Sequence, residues 1–288
     1  MIFPRWFARA LQVAAATEIL YDGRVPLSTQ NASLDASADP FLTVVKGSEP
    51  ATHYSGFLGE AVAPTPLWGN TPEQVISITI DNSSIFVPGG GAPQLGFRRT
   101  ELIAQKKGSD LKQIMETGVT RFHFSIKADT EHPLNLMHEH QIVFIEPSDG
   151  THVFGVQLGS PFTNPTGTLP APDADSFKVL DRALNVLFKT RFTPDAWHNF
   201  AVQVDWEKLT LQIFYSTDAD PLAAVTDVVS NPTVAQGVVG DFHFGVLKLP
   251  LVNPADSPAD QGDVVHHGIQ EGTKEGLLYS GVFVTRVQ

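Results

Sequence analysis

The 288-residue sequence contains no cysteine, which excludes disulfide frameworks, thiol nucleophiles and cysteine-ligated zinc. Length compensates for the missing cross-links, because a chain of this size buries about three-quarters of the surface its unfolded form exposes. Basic residues are scarce as well: 19 Lys and Arg stand against 31 Asp and Glu, a formal charge of −12. Such acidity makes nucleic acid and anionic membrane surfaces poor partners, while neutral polymers are tolerated. No apolar run approaches the roughly 18 residues of a membrane span. A phosphate loop is missing too, since the three glycines of Pro88–Pro93 are followed by no Gly-Lys-Ser/Thr and by a strand rather than a helix.

What the sequence does contain is strand after strand. Apolar residues alternate in Ser77–Ile80, Ile85–Val87, Arg121–Lys127 and Asp241–Leu249, and Trp197–Trp206 pairs with Leu209–Tyr215 across Glu207-Lys208 as a hairpin. Shorter strands are expected at Ile19–Tyr21 and Phe41–Val45, and further ones at Leu134–Glu146, His152–Leu158, Phe177–Phe188 and Leu277–Val287. Asp110–Glu116 is the best helical stretch and is too short to organise a fold. Gly159–Asp175, with four prolines, is expected as a surface loop. With about ten or more strands and no dividing linker, the expectation is an all-β, antiparallel β-sandwich of jelly-roll type with few short helices, one domain over residues 17–288. Residues 1–16 form either a signal-like segment interrupted by Arg9 and Gln12 or an N-terminal extension. Asn31-Ala32-Ser33 and Asn82-Ser83-Ser84 are acceptors for N-glycans if the chain is exported.

Alternation also sorts the chemistry. In Phe97–Ile103, Arg99 and Glu101 share one face while Arg98, Thr100 and Leu102 take the other. In Leu134–Glu146, Asn135, Glu139, Gln141 and Val143 share a face opposite His138, His140, Ile142 and Phe144. Two carboxylates on adjacent strands are what acid/base cleavage of a glycosidic bond requires, although Arg-x-Glu on a strand is more often a surface ion pair of little worth. Arg99 pushes the pKa of Glu101 down and favours it as base, leaving Glu139 beside neutral Asn135 and Gln141 as acid. His198 shares its face with Phe200 and Val202 and is a buried, satisfied histidine unless that face lines a cleft. His243 lies opposite Phe242, Phe244 and Val246, with Lys248 on the apolar side. The pairs His138/His140 and His266/His267 lack a spaced third ligand, so no cofactor and no catalytic metal are expected; a structural calcium among the loop aspartates stays open. Of the aromatics Trp68, Tyr54, Trp197, Tyr215 and Tyr279, one or two are expected as platforms for sugar rings.

Phe97-Arg98-Arg99-Thr100-Glu101-Leu102, Trp197-His198-Asn199-Phe200, Phe242-His243-Phe244-Gly245 and the ending Glu275–Val284, with Tyr21–Pro26 near the start, resemble glycoside hydrolase family 131. That resemblance spans the chain from about Thr17 and implies a secreted, extracellular β-glucanase on a β-jelly roll. The activity it implies is cleavage of β-1,3-, β-1,6- and β-1,4-glucosidic bonds with inversion, on a β-glucan polysaccharide or oligosaccharide and by a monomer. Carried over by motif, Glu101 and Glu139 are the catalytic carboxylates, with Glu146 in reserve, and Arg99 and His198 accompany them. Trp68, Tyr54, Asn135, Gln141, Lys248 and Tyr279 are the expected substrate contacts. Two alternatives stand beside this: a polyuronate (glucuronan-type) lyase using a cationic cleft of Arg98, Arg99 and Lys248, and a non-catalytic glucan-binding module on the same fold.

Overall fold

The computed structural model describes residues 18–232, 234, 237 and 239–287; the signal-like segment lies outside the described residues. In chain order the strands are β1 (Ile19–Asp22), β2 (Phe41–Leu42), β3 (Ser55–Phe57), β4 (Ile76–Ile80), β5 (Arg98–Ala104), β6 (Val119–Ala128), β7 (Glu139–Pro147), β8 (Phe154–Gly159), β9 (Ser176–Asp181), β10 (Val186–Arg191), β11 (His198–Asp205), β12 (Thr210–Thr217), β13 (Ala223–Ala224), β14 (Val229–Ser230), β15 (Gly240–Lys248) and β16 (Glu275–Arg286). Two antiparallel sheets result. One runs β13-β12-β11-β6-β16-β4-β3, with β1 on β16 and β14 on β12; the other runs β10-β9-β8-β7-β15-β5-β2. Their facing sides carry the alternating apolar residues, so Phe122, Phe124, Phe200, Val202 and Tyr279 from the first sheet meet Val143, Ile145, Phe177, Phe242 and Phe244 from the second in one core. No helix of the described residues is long and apolar enough to cross a membrane.

Several expected strands are shorter, split or missing: Phe41–Val45 is paired only over Phe41–Leu42, His152–Leu158 begins at Phe154, and Phe177–Phe188 is two strands with a turn between them. Ile85–Val87 is loop, because its backbone closes the glycine turn instead of a ladder, Gln94 N–H donating to the Phe86 carbonyl. The Leu134 strand begins only at Glu139. Asn135 Oδ1 accepts the Met137 N–H and makes a turn of the preceding residues.

The consequential departure lies inside β7. Its ladder with β8 slips by one residue between Gln141 and Val143, and Ile142 and Val143 both turn into the core. Strict alternation therefore fails at this bulge. Gln141 stands opposite Leu247 and Phe144 opposite His243, while Leu247 and His243 stand opposite Arg99 and Ile103. Residues directly opposite share a face, so Glu139, Gln141, Phe144 and Glu146 all look outward with Arg99 and Glu101. From the other sheet, Tyr279 reaches through the core and its hydroxyl donates to the Gly245 carbonyl at 2.5 Å and lies 3.4 Å from that of Ile142. One phenol thus satisfies the backbone at the irregularity in both strands.

The far end of the core holds a buried ionic cluster. Lys248, fully buried, contacts Glu275 at 2.6 Å and Glu271 at 2.7 Å, and His140 and His138 reach the same two carboxylates. Burial alone would raise the Glu275 pKa, but the hydrogen bonds and charge of His140 and Lys248 outweigh it and hold the carboxyl at about 2. Its stabilising contribution is therefore complete above the ordinary value of 4.5 and is lost as the pH falls towards 2. Replacing Glu275 with Gln should cost about 3 kcal/mol at neutral pH by leaving buried Lys248 and His140 without their buried carboxylate, with Glu271 as the remaining partner of Lys248, and denaturant titrations should show that deficit shrinking between pH 4.5 and pH 2. Tyr279→Phe should cost about 1–2 kcal/mol for the carbonyls it leaves unpaired, read in the same titrations.

Candidate active site

On the outer face of the seven-stranded sheet, Arg99 and Glu101 extend side by side from β5 as alternation requires. Arg99 Nε donates to Glu101 Oε1 at 2.8 Å and Nη2 to Oε2 at 2.8 Å, a bidentate pair. From β15, His243 Nδ1–H donates to the same Oε2 at 2.7 Å. Gly245, directly opposite Glu101, makes this possible, since a Cβ there would run into the backbone of Thr100 and Glu101. The Glu101 side chain has no exposure at all. Its burial would raise the pKa, yet the Arg99 charge and the His243 hydrogen bond prevail and hold it at about 2. Glu101 is thus a permanent anion and cannot donate a proton near neutrality.

With Nδ1–H committed to Glu101, His243 turns Nε2 towards Glu146 Oε2, 3.8 Å away, and Arg99 Nη2 lies 3.6 Å from the same oxygen. The Glu146 side chain is 27% exposed and opens into a cavity of about 310 Å³. Val45, Phe86 and Ile103 form its apolar wall; Arg99, Lys112, Glu146, Asp241 and His243 line it with charge and hydrogen-bonding groups. Behind His243, Phe144 stacks at 4.9 Å and His152 stacks on Phe144 at 4.1 Å. Burial drops the His152 pKa to about 4, so that imidazole is neutral near pH 7. Glu101, Glu146 and His243 each offer a ligand atom within 4.8 Å of the others. The Arg99 guanidinium already lies among those oxygens and supplies the positive charge, so the group does not fit a divalent cation.

The other expected site residues are dispersed. Glu139 is on the same face, but its carbonyl accepts the Leu249 N–H, four residues along β15 from Gly245 and Glu101, roughly 13 Å at strand rise. There its carboxylate accepts from the Phe162 N–H and from Gln141, anchoring the Gly159–Asp175 loop. Asn135 caps Glu275 through its backbone N–H. Lys248, Tyr279 and Tyr54 are sealed inside, so no substrate reaches them. Trp68 lies on the outer side of the other sheet, edge-on to His123 and Phe283. His198 is in the core: Nδ1–H donates to the Tyr215 hydroxyl and Nε2 accepts from the Thr193 N–H, which corrects its catalytic assignment. Trp197 is buried beside Val75 and Leu278. Lys112, Asp241 and Phe86 were not singled out in advance, because they come together from a short helix, a strand start and a loop with no shared motif. His243 was noted for its outward face, and the glycine two residues on was the available signal for a close approach there.

The chain as a whole is similar to known proteins. The family model for the glycoside hydrolase 131 catalytic N-terminal domain matches residues 19–288. The catalytic domain of a GH131 β-glucanase from Podospora anserina is 24% identical, with 94% of this chain and 97% of that one covered and a TM-score of 0.70. That of the family 131 protein from Coprinopsis cinerea is 23% identical, with 93% and 94% covered and a TM-score of 0.67. No curated protein sequence matches. This chain, an antiparallel β-sandwich carrying a pocketed carboxylate over a buried arginine–glutamate pair, belongs to glycoside hydrolase family 131 and is a glycoside hydrolase.

Proposed function

We propose that the chain hydrolyses a neutral β-glucan at the Glu146 pocket, with Glu146 as the carboxyl that meets the scissile bond. The observation that carries this is the contrast in exposure on one face: Glu146 opens into the cavity while Glu101 beneath it is sealed and ionised. Glu101, Arg99 and Glu146, when all are ionised, sum to one negative charge, suited to a sugar that develops positive charge in an oxocarbenium-like transition state. Proton transfer falls to the two groups that reach the cavity, Glu146 and His243 Nε2, with the imidazole held in one tautomer by Glu101. In this reading Glu146 replaces Glu139, and Glu101 is a positioning residue instead of the base.

The β-1,3-, β-1,6- and β-1,4-linkages and secretion implied by the family resemblance belong to the same proposal, whereas the net inversion it also implies does not follow from this pocket. Inversion needs carboxyls roughly 6.5–9.5 Å apart to admit a water. Glu101 and Glu146, with oxygens within 4.8 Å, do not hold that water between them. A polyuronate lyase draws less support. Of its three cations, Lys248 is in the core, Arg98 is hydrogen-bonded to the Leu95 and Phe97 carbonyls, and Arg99 is neutralised by Glu101.

The expected outcomes are specific. Glu146→Gln and His243→Asn should each lower reducing-end release from laminarin, pustulan or cellulose by about 10²–10⁴-fold, the partly exposed Glu146→Gln with an unchanged melting temperature. Glu139→Gln should retain activity; its inactivation alongside an active Glu146→Gln would restore the Glu101/Glu139 pair. Product configuration followed by NMR during turnover reports inversion or retention, and glucuronan should yield no ultraviolet-absorbing unsaturated ends.

A further inference from the structure

Lys112 and Asp241 close one end of the cavity. Asp241 stands directly opposite Glu146 in the β7–β15 ladder and projects from the same face, and Lys112 reaches it from the helix Leu111–Met115 at 2.8 Å. Pro147, Ser148 and Val239 wall the cavity beside them, while Arg99 and Phe86 also line it. Both charged side chains are about two-fifths exposed, 43% and 37%. An ion pair that wet contributes little to stability, so the fold has little need of it. Its hydrogen-bonding capacity is largely unspent. Among the described residues neither side chain makes another hydrogen bond or ion pair, and both line the cavity, so an Asp241 oxygen and further Lys112 N–H groups have capacity to spare.

The geometry points to Asp241 and Lys112 as the hydroxyl clamp of the glycosyl unit next to the cleaved bond, the part of the site that recognises a vicinal diol. It rests on the hydrolase reading given above. A sugar hydroxyl is both donor and acceptor, so one hydroxyl of a diol donates to the free carboxylate oxygen while its neighbour accepts from the ammonium. The pair is neutral as a unit, which matches a neutral pyranose; a uronate carboxylate would face Asp241 and Glu146. Because Asp241 and Glu146 are cross-strand neighbours, their Cα atoms lie about 5 Å apart. A ring whose glycosidic oxygen meets Glu146 therefore has its own hydroxyls within reach of the clamp. Phe86, on the apolar wall and with the Arg99 guanidinium 5.7 Å over its ring, offers a face for the C–H side of that ring.

The test uses the full chain with cellobiosides and laminaribiosides and a panel of their monodeoxy derivatives. Asp241→Asn and Lys112→Met are each expected to lower kcat/KM about 10–100-fold, chiefly through KM, with melting temperatures unchanged. On the deoxy substrate that lacks the clamped hydroxyl, the unaltered protein should fall to the level of Asp241→Asn, and the variant should lose nothing further. Losses that add across the panel, or variants with unaltered KM, overturn the clamp while leaving hydrolysis intact. Failure of the unaltered protein to cleave any β-glucan overturns the hydrolase reading and the clamp with it.

Discussion

A carboxylate with no solvent contact is tolerable only when its charge is answered on every side, and the site is built on that requirement. Glu101 spends both oxygens on Arg99 and one again on His243. Removing water from such a pair costs several kcal/mol per ion, offset here by bidentate geometry and a third donor. Three features keep the arrangement in register. Alternation sets Arg99 beside Glu101, Gly245 admits β5 close to β15, and Tyr279 holds the Gly245 carbonyl from across the core.

Two of the ionic clusters among the described residues lie on the two faces of one sheet, and they differ in their surroundings rather than their composition. Lys248 with Glu271, Glu275, His138 and His140 lies at the core end and ties the segment before β16 to β7 and β15. Arg99 with Glu101, His243 and Glu146 lies on the outer face, where one member reaches a cavity. Only the second borders that cavity; in the first, Glu271 reaches solvent elsewhere. Charge type and spacing alone do not separate these cases; the direction in which the strand presents each side chain does.

Much of this was legible in the chain. The all-β class, the hairpins and the shared face of Arg99 and Glu101 follow from period-two patterning, which holds without interruption through β5. His198 was readable as a core histidine from Phe200 and Val202 on its side. Lys248 was correctly placed on the apolar side of β15, yet a sequence cannot show that two glutamates some 25 residues later return to neutralise it there. The choice between Glu139 and Glu146 was beyond reach, because strict alternation carries no mark for the residue at which a strand slips. Phe86, Lys112 and Asp241 required the tertiary fold, as their approach depends on where loops settle on the sheet.

The extra residue at Ile142 means that the outward position of Glu146 is inherited as a matter of chain length. Side-chain identity along β7 can drift while the parity of the strand is kept, but loss of one residue there would rotate the downstream half by a full face and send Glu146 inward. In descent, then, the vulnerable event at this strand is a codon gained or lost instead of a codon changed. Relatives are best compared by counting residues between Gln141 and Phe144 before asking which acids they carry.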